Sequence, residues 1–456
     1  MFSIFSLSSE EAPEPAPFML TLETAVSRAL NYNRQLQNTL DNSIKAEFQL
    51  EVANSVFEWD ICPNSNVGYV GGGSAGSGVA CGTGIDFSKK LKCGTTFDIM
   101  PSFEKISGTY HTNMRTRITT PLLRGWGTEY TLATVLGAQY NVRSTSRGKY
   151  IAQCQLVMRT ITALYELIKT YKNVLLNQES HQRMIRFYQT AKLKAQIGLA
   201  EPLDIYRAET EMRTAEDALT SAKERFQEVE DNLRDILALP PDMTIVVNLP
   251  VLHKPIQMTL DDAIETALAN RIEIDQALDE VQEDRRLSRV ARERLWPELN
   301  MVVNYSNCGL DQVFTETWST KRETTWGIGF TTSSDFDPVA ERAAYNQSIV
   351  AVASAIRNVD QVKANTIFEV KRVMRHLERA IEKIALQEKQ IHTAKGELRL
   401  AQIKFDRGMA NNFDMIQAEK ALRSSELTYW NAIIEHIVAE YQILNVIGLL
   451  MEKPCL

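Results

Sequence analysis

The sequence predicts a mixed α and β fold, internally duplicated, in which long antiparallel coiled-coil helices alternate with strand regions. Two stretches of sequence recur in the same order, one pair about 210 and the other about 240 residues apart. Apolar residues keep a heptad spacing through very long helical segments. Gly- and aromatic-rich segments with period-two alternation interrupt the helices at equivalent points of the two halves.

The duplication rests on two pairs of segments. AKLKAQIGLAEPLDIYRA (191–208) and AQIKFDRGMANNFDMIQA (401–418) each end a helical run, turn at Gly198 or Gly408, and open a new helix with Asp204 or Asp414. Upstream, LTLETAVSRALNYNR (20–34) and MTLDDAIETALANR (258–271) share Thr21/Thr259, Leu22/Leu260 and the small pairs Ala25/Ala29 and Ala263/Ala267. The predicted organisation is a disordered lead-in (1–19), a first repeat (20–249) and a second repeat (250–456), with the boundary in the Pro-rich stretch 239–255.

Within each repeat the elements follow one order. A helix of about 35 residues (21–57; copy 259–295) leads into a strand region (64–120; copy 298–333). A helix of about 70 residues, or ~105 Å, follows (128–197; copy 337–407). After the Gly turn comes a second helix of about 35 residues (202–237; copy 412–448). Two shorter helices end to end match one long one, so each half can form an antiparallel pair. The seam runs through Ile151, Cys154, Met158, Ile161, Tyr165, Ile168 and Leu175 in the first half, and Val359, Val362, Thr366, Val370, Val373, Leu377, Ala380, Ile384, Ile391, Ala394, Leu398, Ala401 and Phe405 in the second. Two strands per half give about four per chain, with room for more in the first region, which is longer than a single hairpin needs. YVGGGSAGSGVACGTG (69–84) and FEKISGTYHTNM (103–114) read as extended loops. Four strands cannot close a barrel, which needs about eight, and an open sheet leaves reactive edges, so the pattern calls for oligomerisation.

Composition narrows the function classes. The net charge of −7 provides no polybasic surface for nucleic acid. No apolar run reaches the ~18–20 residues of a membrane-spanning helix, which leaves a β-barrel open. No signal peptide is recognisable in MFSIFSLSSEEAPEPAPF. The six Cys form no C-x-x-C pair and the six His no metal or catalytic motif, so neither metal, cofactor nor enzyme activity is expected. Gly71-Gly72-Gly73 lacks the G-K-[ST] of a phosphate loop. Cys81 and Cys93 flank GTGIDFSKKLK; in an oxidising compartment they either bridge, closing a loop worth roughly 3 kcal/mol, or remain free thiols.

From about residue 20 to 450 the chain resembles the TolC family of outer-membrane efflux proteins. The resemblance is carried by the two T-L-x-x-A-x-x-x-A-L openings, ITTPLLRGWG (118–127), the two G-[LM]-A-x-x-x-D turns and ILNVIGLL (443–450). It implies a homotrimer in the outer membrane with a periplasmic extension. Each subunit would give four strands to a twelve-stranded β-barrel and its helices to an α-barrel. It further implies a passive exit duct for tripartite efflux or type I secretion, docked by a periplasmic adaptor and an inner-membrane pump. By the same resemblance, Gly198, Leu199, Ala200, Gly408, Met409 and Ala410 form adaptor-docking tips. Asp204, Asp414, Gln417 and Phe405 belong to the aperture, and Pro121, Arg124, Gly125 and Trp126 mark the strand-to-helix junction. The family's gate Tyr and Arg positions hold Phe405 and Ala410 here, so that lock does not carry over. The competing reading is an elongated coiled-coil scaffold without transport activity, for which the strand regions have no use.

Overall fold

The computed structural model describes residues 18–71, 78–106, 108–197, 201–243, 245–247, 258–318, 322–333, 337–407, 409 and 412–454. In chain order the elements are β1 (Phe18–Leu20), α1 (Leu22–Tyr32), α2 (Arg34–Ser55), β2 (Trp59–Val70), β3 (Gly78–Lys90), β4 (Thr96–Ile106) and β5 (Thr109–Pro121). Then follow a one-turn α3 (Thr128–Thr131), α4 (Ala133–Gln196), α5 (Pro202–Ile236), β6 (Ile245–Val247), α6 (Leu260–Asn270) and α7 (Ile272–Glu293). The chain ends with β7 (Glu298–Asp311), β8 (Arg322–Ser333), α8 (Val339–Asp406) and α9 (Asn412–Val446). Two compact units result. One is built from Met1–Leu40, Lys149–Ile272 and Lys363–Cys455, the other chiefly from Asp41–Gly148 and Glu273–Val362.

The first unit is helical, with one small sheet. Thr21 and Thr259 cap α1 and α6, each hydroxyl accepting a backbone N–H three residues on at 3.3 Å. The expected single helices over 21–57 and 259–295 are each broken after eleven residues, at Asn33 and Arg271, both in extended conformation. The break has a purpose in each repeat. Asn33 accepts the Leu36 N–H at 3.1 Å, which starts α2, and donates to the Ile236 carbonyl at the end of α5 at 3.0 Å. Arg271 donates to the Val446 carbonyl at the end of α9 at 3.3 Å while pairing with Glu369 at 3.0 Å. Two helix-end carbonyls that would otherwise be orphaned are thereby satisfied.

The fully buried Ala25, Ala29, Ala263 and Ala267 let α1 and α6 approach their neighbours closely. Around α1 the core is Leu164, Leu233, Ile236 and Leu237; around α6 it is Val370, Ile443 and Ile447. Twelve of the twenty seam residues named from the heptad pattern are buried, and the other eight, Ile151, Cys154, Ile168, Leu175, Val362, Ile384, Ile391 and Leu398, are half-buried. Strands β1 and β6 form a parallel pair, Phe18–Leu20 against Ile245–Val247. Three-residue strands leave no periodicity to detect, and the sequence did not announce them.

The second unit carries the main sheet, ordered β2-β3-β4-β5-β7-β8 with every neighbouring pair antiparallel. This corrects the four-strand expectation. The first region supplies four strands, and of the two stretches read as extended loops, 69–70, 78–84, 103–106 and 109–114 lie in strands while 72–77 and 107 lie outside the described residues. Glycine misled because it serves here in close approach. A Cβ on Gly84 would stand 2.8 Å from Asn64 Oδ1 and 3.0 Å from the Pro101 carbonyl, and one on Gly82 would strike the Asn66 side chain. In the same unit, Ala277, Val281, Ala355 and Val359 form a small core between α7 and α8. Asp279 on α7 receives Arg143 Nε at 3.1 Å and Arg147 Nη1 at 2.7 Å from α4. Burial pushes the Asp279 carboxyl up, but the two guanidiniums outweigh it and hold it below the usual range. The ion pairs therefore contribute fully above the unfolded carboxyl's pKa, and that contribution is lost as pH falls through the depressed folded value.

The C-termini of α5 and α9 close alike, Leu239 N–H on the Arg234 carbonyl and Leu449 N–H on the Leu444 carbonyl, both at 2.9 Å. The left-handed corner is Gly448 (φ 77°) in one and Ala238 (φ 49°) in the other. Ala238→Gly should therefore raise stability by about 1 kcal/mol. Gly448→Ala, whose Cβ would meet Asn270 at 3.1 Å, should lower it. Thermal melting of the detergent-solubilised protein measures both, and opposite signs are expected.

Candidate channel wall and helix tips

The register of the six-stranded sheet sorts its side chains into two faces. Paired residues share a face, so one row reads Ile61, Phe87, Ile99, Thr116, Tyr305, Trp326, and the next Trp59, Lys89, Phe97, Ile118, Val303, Ile328. Phe330 and Met301 extend this apolar face. Its aromatic and aliphatic side chains are open to the surroundings at the sheet's margins, with Trp326 76% and Phe330 67% exposed. Alternate residues give the opposite face: Asn64, Asp86, Ser102, Asn113, Arg115, Arg117, Asn304, Ser306, Thr325 and Gly327. A cavity of about 750 Å³ opens mainly on this polar side, among Ser102, Glu104, His111, Asn113, Cys308 and Glu323. A sheet apolar on one side and polar on the other suits a wall between lipid and water.

Both ends of the sheet are finished by packing. Residues after β7 fold back over the apolar face, where Phe314 meets Phe103 edge-on at 5.0 Å and Tyr110 at 6.0 Å. At the other end Pro121 closes β5, and Leu122 N–H bonds the Leu299 carbonyl at 2.7 Å. Gly125 then turns with φ 93°. Its carbonyl accepts from Thr131 at 3.3 Å and lies 2.5 Å from where a Gly94 Cβ would be, so the turn between β3 and β4 sits tightly beneath the junction. Trp126 is exposed; Arg124 N–H reaches the Pro297 carbonyl at 3.4 Å. The four junction residues named from the sequence thus fall at one strand-to-helix turn.

Of the two alternatives for Cys81 and Cys93, the structure has the free thiols. Gly78–Lys90 is a single extended strand, with Cys81 toward one end and Cys93 in the turn beyond the other. At ~3.3 Å per residue they stand about 30 Å apart or more, far beyond the ~7 Å a bridge allows.

At the far ends of the long helices, Gly198, Leu199, Ala200, Gly408 and Ala410 lie outside the described residues; Met409 is described and exposed. The Met409 N–H bonds the Lys404 carbonyl at 2.8 Å, the six-to-one bond of a helix stop. Phe405 is buried within the chain's own core, against Phe187 at 5.3 Å between ring centroids, with Met184, Ala191, Ala208, Met415 and Ala418 around it. Lys194, which the sequence reading passed over, lies 3.7 Å over the Phe405 ring and donates to the Phe405 carbonyl. Asp204 is partly buried, its carboxylate 3.9 Å from Arg207, and its carbonyl accepts the Asn412 amide at 2.9 Å. That bond ties the starts of α5 and α9 together. Asp414 and Gln417 are exposed, one turn apart on α9. Nearby, Glu419 is buried and takes Arg183 at 2.7 Å. Glu419 directly follows the second repeat segment as Glu209 follows the first, but nothing in the sequence marks it as buried.

Residues 263–448 match the family model for outer membrane efflux proteins. No curated protein matches the chain. Among solved structures, the Campylobacter jejuni CmeC outer membrane channel aligns at TM-score 0.73 and 13% identity, over 94% of this chain and 86% of that one. The outer membrane protein VceC of Vibrio cholerae gives 0.73 at 13%, over 94% and 96%. The open state of the Neisseria gonorrhoeae MtrE outer membrane channel gives 0.68 at 15%, over 94% and 89%. At such identities the likeness establishes the fold, and with the family match it bears out the resemblance read from the motifs.

The two faces predict opposite responses to charge. Ile328→Lys, on the apolar side, should cost about 2–4 kcal/mol of insertion free energy and deplete the protein from membranes. Thr325→Lys, on the polar side of the same strand, should leave its level near wild type. Immunoblots of fractionated membranes compare them, and equal depletion would refute the assignment of faces.

Proposed function

On the premise that residues 263–448 belong to the outer membrane efflux protein family, we propose that the chain is the outer-membrane exit duct of a tripartite efflux or type I secretion system. It works as a homotrimer, with a periplasmic adaptor docked at the turns around 198–200 and 408–410 and an inner-membrane pump supplying the energy. The single observation that carries the reading is the two-faced sheet, since a scaffold has no reason to hold Trp326, Ile328 and Phe330 in the open on one face and hydroxyls and amides on the other. The helices support an assembly of copies: Ile44, Phe48 and Val52 form an exposed apolar stripe at four-residue spacing on α2. The chain is a conduit for export and not an enzyme.

In the trimer, Asp414 recurs three times at the narrow mouth, with Gln417 one turn away. The exposure of both supports this placement. Asp204 lies near the mouth, partly buried, with its carboxylate beside Arg207. A ring of three carboxylates concentrates negative potential at a narrow opening and draws multivalent cations.

Sucrose-gradient separation of the two membranes should place the chain in the outer membrane; residence in the cytosol would return the scaffold reading. In planar bilayers, a trivalent hexammine complex added on the helical side should block wild-type channels at least tenfold more strongly than Asp414→Ala channels. Unchanged block would leave Asp414 as a helix-dipole residue only.

A further inference from the structure

The main sheet ends at two edges that none of the described residues covers. β2 and β8 are both twelve residues long. Every residue of β8, and of β2 from Trp59 to Tyr69, is exposed. Soluble proteins guard such margins with charges or prolines spread along the strand. Here the only charges are Asp60 on β2 and Arg322 and Glu323 at the very start of β8. Pro63 removes one donor from β2 without interrupting its pairing with β3. These edges are built to be joined.

We propose that three copies close one eighteen-stranded barrel, β8 of each copy pairing antiparallel with β2 of the next. The proposal rests on the trimeric duct above and goes beyond it: three copies of six strands make eighteen, where the family resemblance implied twelve. Three observations carry it. All five internal pairings are antiparallel, so β2 and β8 run in opposite directions, and a β8-to-β2 joint between copies continues the same alternation without a fault. The outward faces also match. Trp59, Ile61, Val67 and Tyr69 on β2 share the apolar side with Trp326 and Ile328 on β8, so the joined wall shows lipid an unbroken apolar girdle.

The third observation is that the β2–β3 hairpin is part of the wall and not an appendage. β3 pairs with β4 from Ala80↔Ile106 to Lys90↔Thr96. Trp59 meets Phe97 edge-on at 6.5 Å across that boundary, and Lys89 lies 5.2 Å over the Trp59 ring. The turn after β3 is seated under the strand-to-helix junction at Gly94 and Gly125. Barrel diameter grows roughly linearly with strand number, so the membrane portion is about 1.5 times as wide as a twelve-stranded one.

The joint is tested in the full-length protein in its membrane. Cys62 lies on the polar side of β2 and is free and exposed. With the other five cysteines replaced by serine, a single cysteine is placed on the polar side of β8 by Thr325→Cys, Gly327→Cys, Gly329→Cys or Thr331→Cys, and oxidised with copper phenanthroline. At least one position should give a covalent ladder ending at three chains on a denaturing gel. Asp98→Cys, on the internal strand β4, should give none. A ladder ending at two chains overturns the proposal. So does the absence of any link in protein whose native mass is that of a trimer; that result leaves the duct reading intact, whereas a native monomer removes the duct assembly itself. If the variants do not insert, electron cryomicroscopy of the wild-type particle decides: eighteen strands in cross-section are expected, and twelve overturn the inference.

Discussion

A strand at the margin of a sheet keeps backbone donors and acceptors that no neighbour satisfies, and hydrocarbon offers them no water. The architecture of the chain follows from that constraint. Alternation along every strand, kept in register across five pairings, separates an apolar from a polar face. Neither face is stable in a single solvent. The sheet is at home only where lipid meets one side and water the other, and only when its margins are met by further strands. Helix α2 gives the same message more weakly, through apolar residues such as Phe48 and Val52 that the described residues leave exposed.

The two repeats solve equivalent problems with different residues. Asn33 and Arg271 both interrupt a helix and both satisfy the last carbonyls of a neighbouring one, yet one is a short amide and the other a long cation with a carboxylate partner. Ala238 and Gly448 occupy the same left-handed corner at different steric cost. What the duplication preserves is the location of an unsatisfied backbone group, and the side chain that answers it is free to change. The strand regions diverge further, because adding a hairpin to an antiparallel meander preserves the direction of the strands on either side of it.

Much of this was legible in the sequence. The heptad seam named the buried stripe of α8 correctly, because a packed helix imposes a period that survives in composition. Helix ends at Gln196, Pro202, Asp406 and Asn412 fell within two residues of expectation, because Gly, Pro and Asp mark them chemically. The strand count failed where glycine was read only as a loop former. Gly82 and Gly84 sit inside β3, under asparagine side chains that a single strand cannot reveal. The helix tips were legible in part. Exposure of Asp414 was consistent with its expected position, but the burial of Phe405 beneath Lys194 depends on a contact between residues 211 apart in sequence.

The pairing of β5 with β7 joins the two strand regions into one wall. Four strands of the first region and two of the second are joined by short connections, whereas Asn113 and Ser306 meet across 193 residues. Closing a loop that long costs about 3 kcal/mol more than closing a hairpin of some five residues. The β5–β7 joint is therefore the costly one to close, and without it β5 is a further open margin beside the apolar rows of the sheet.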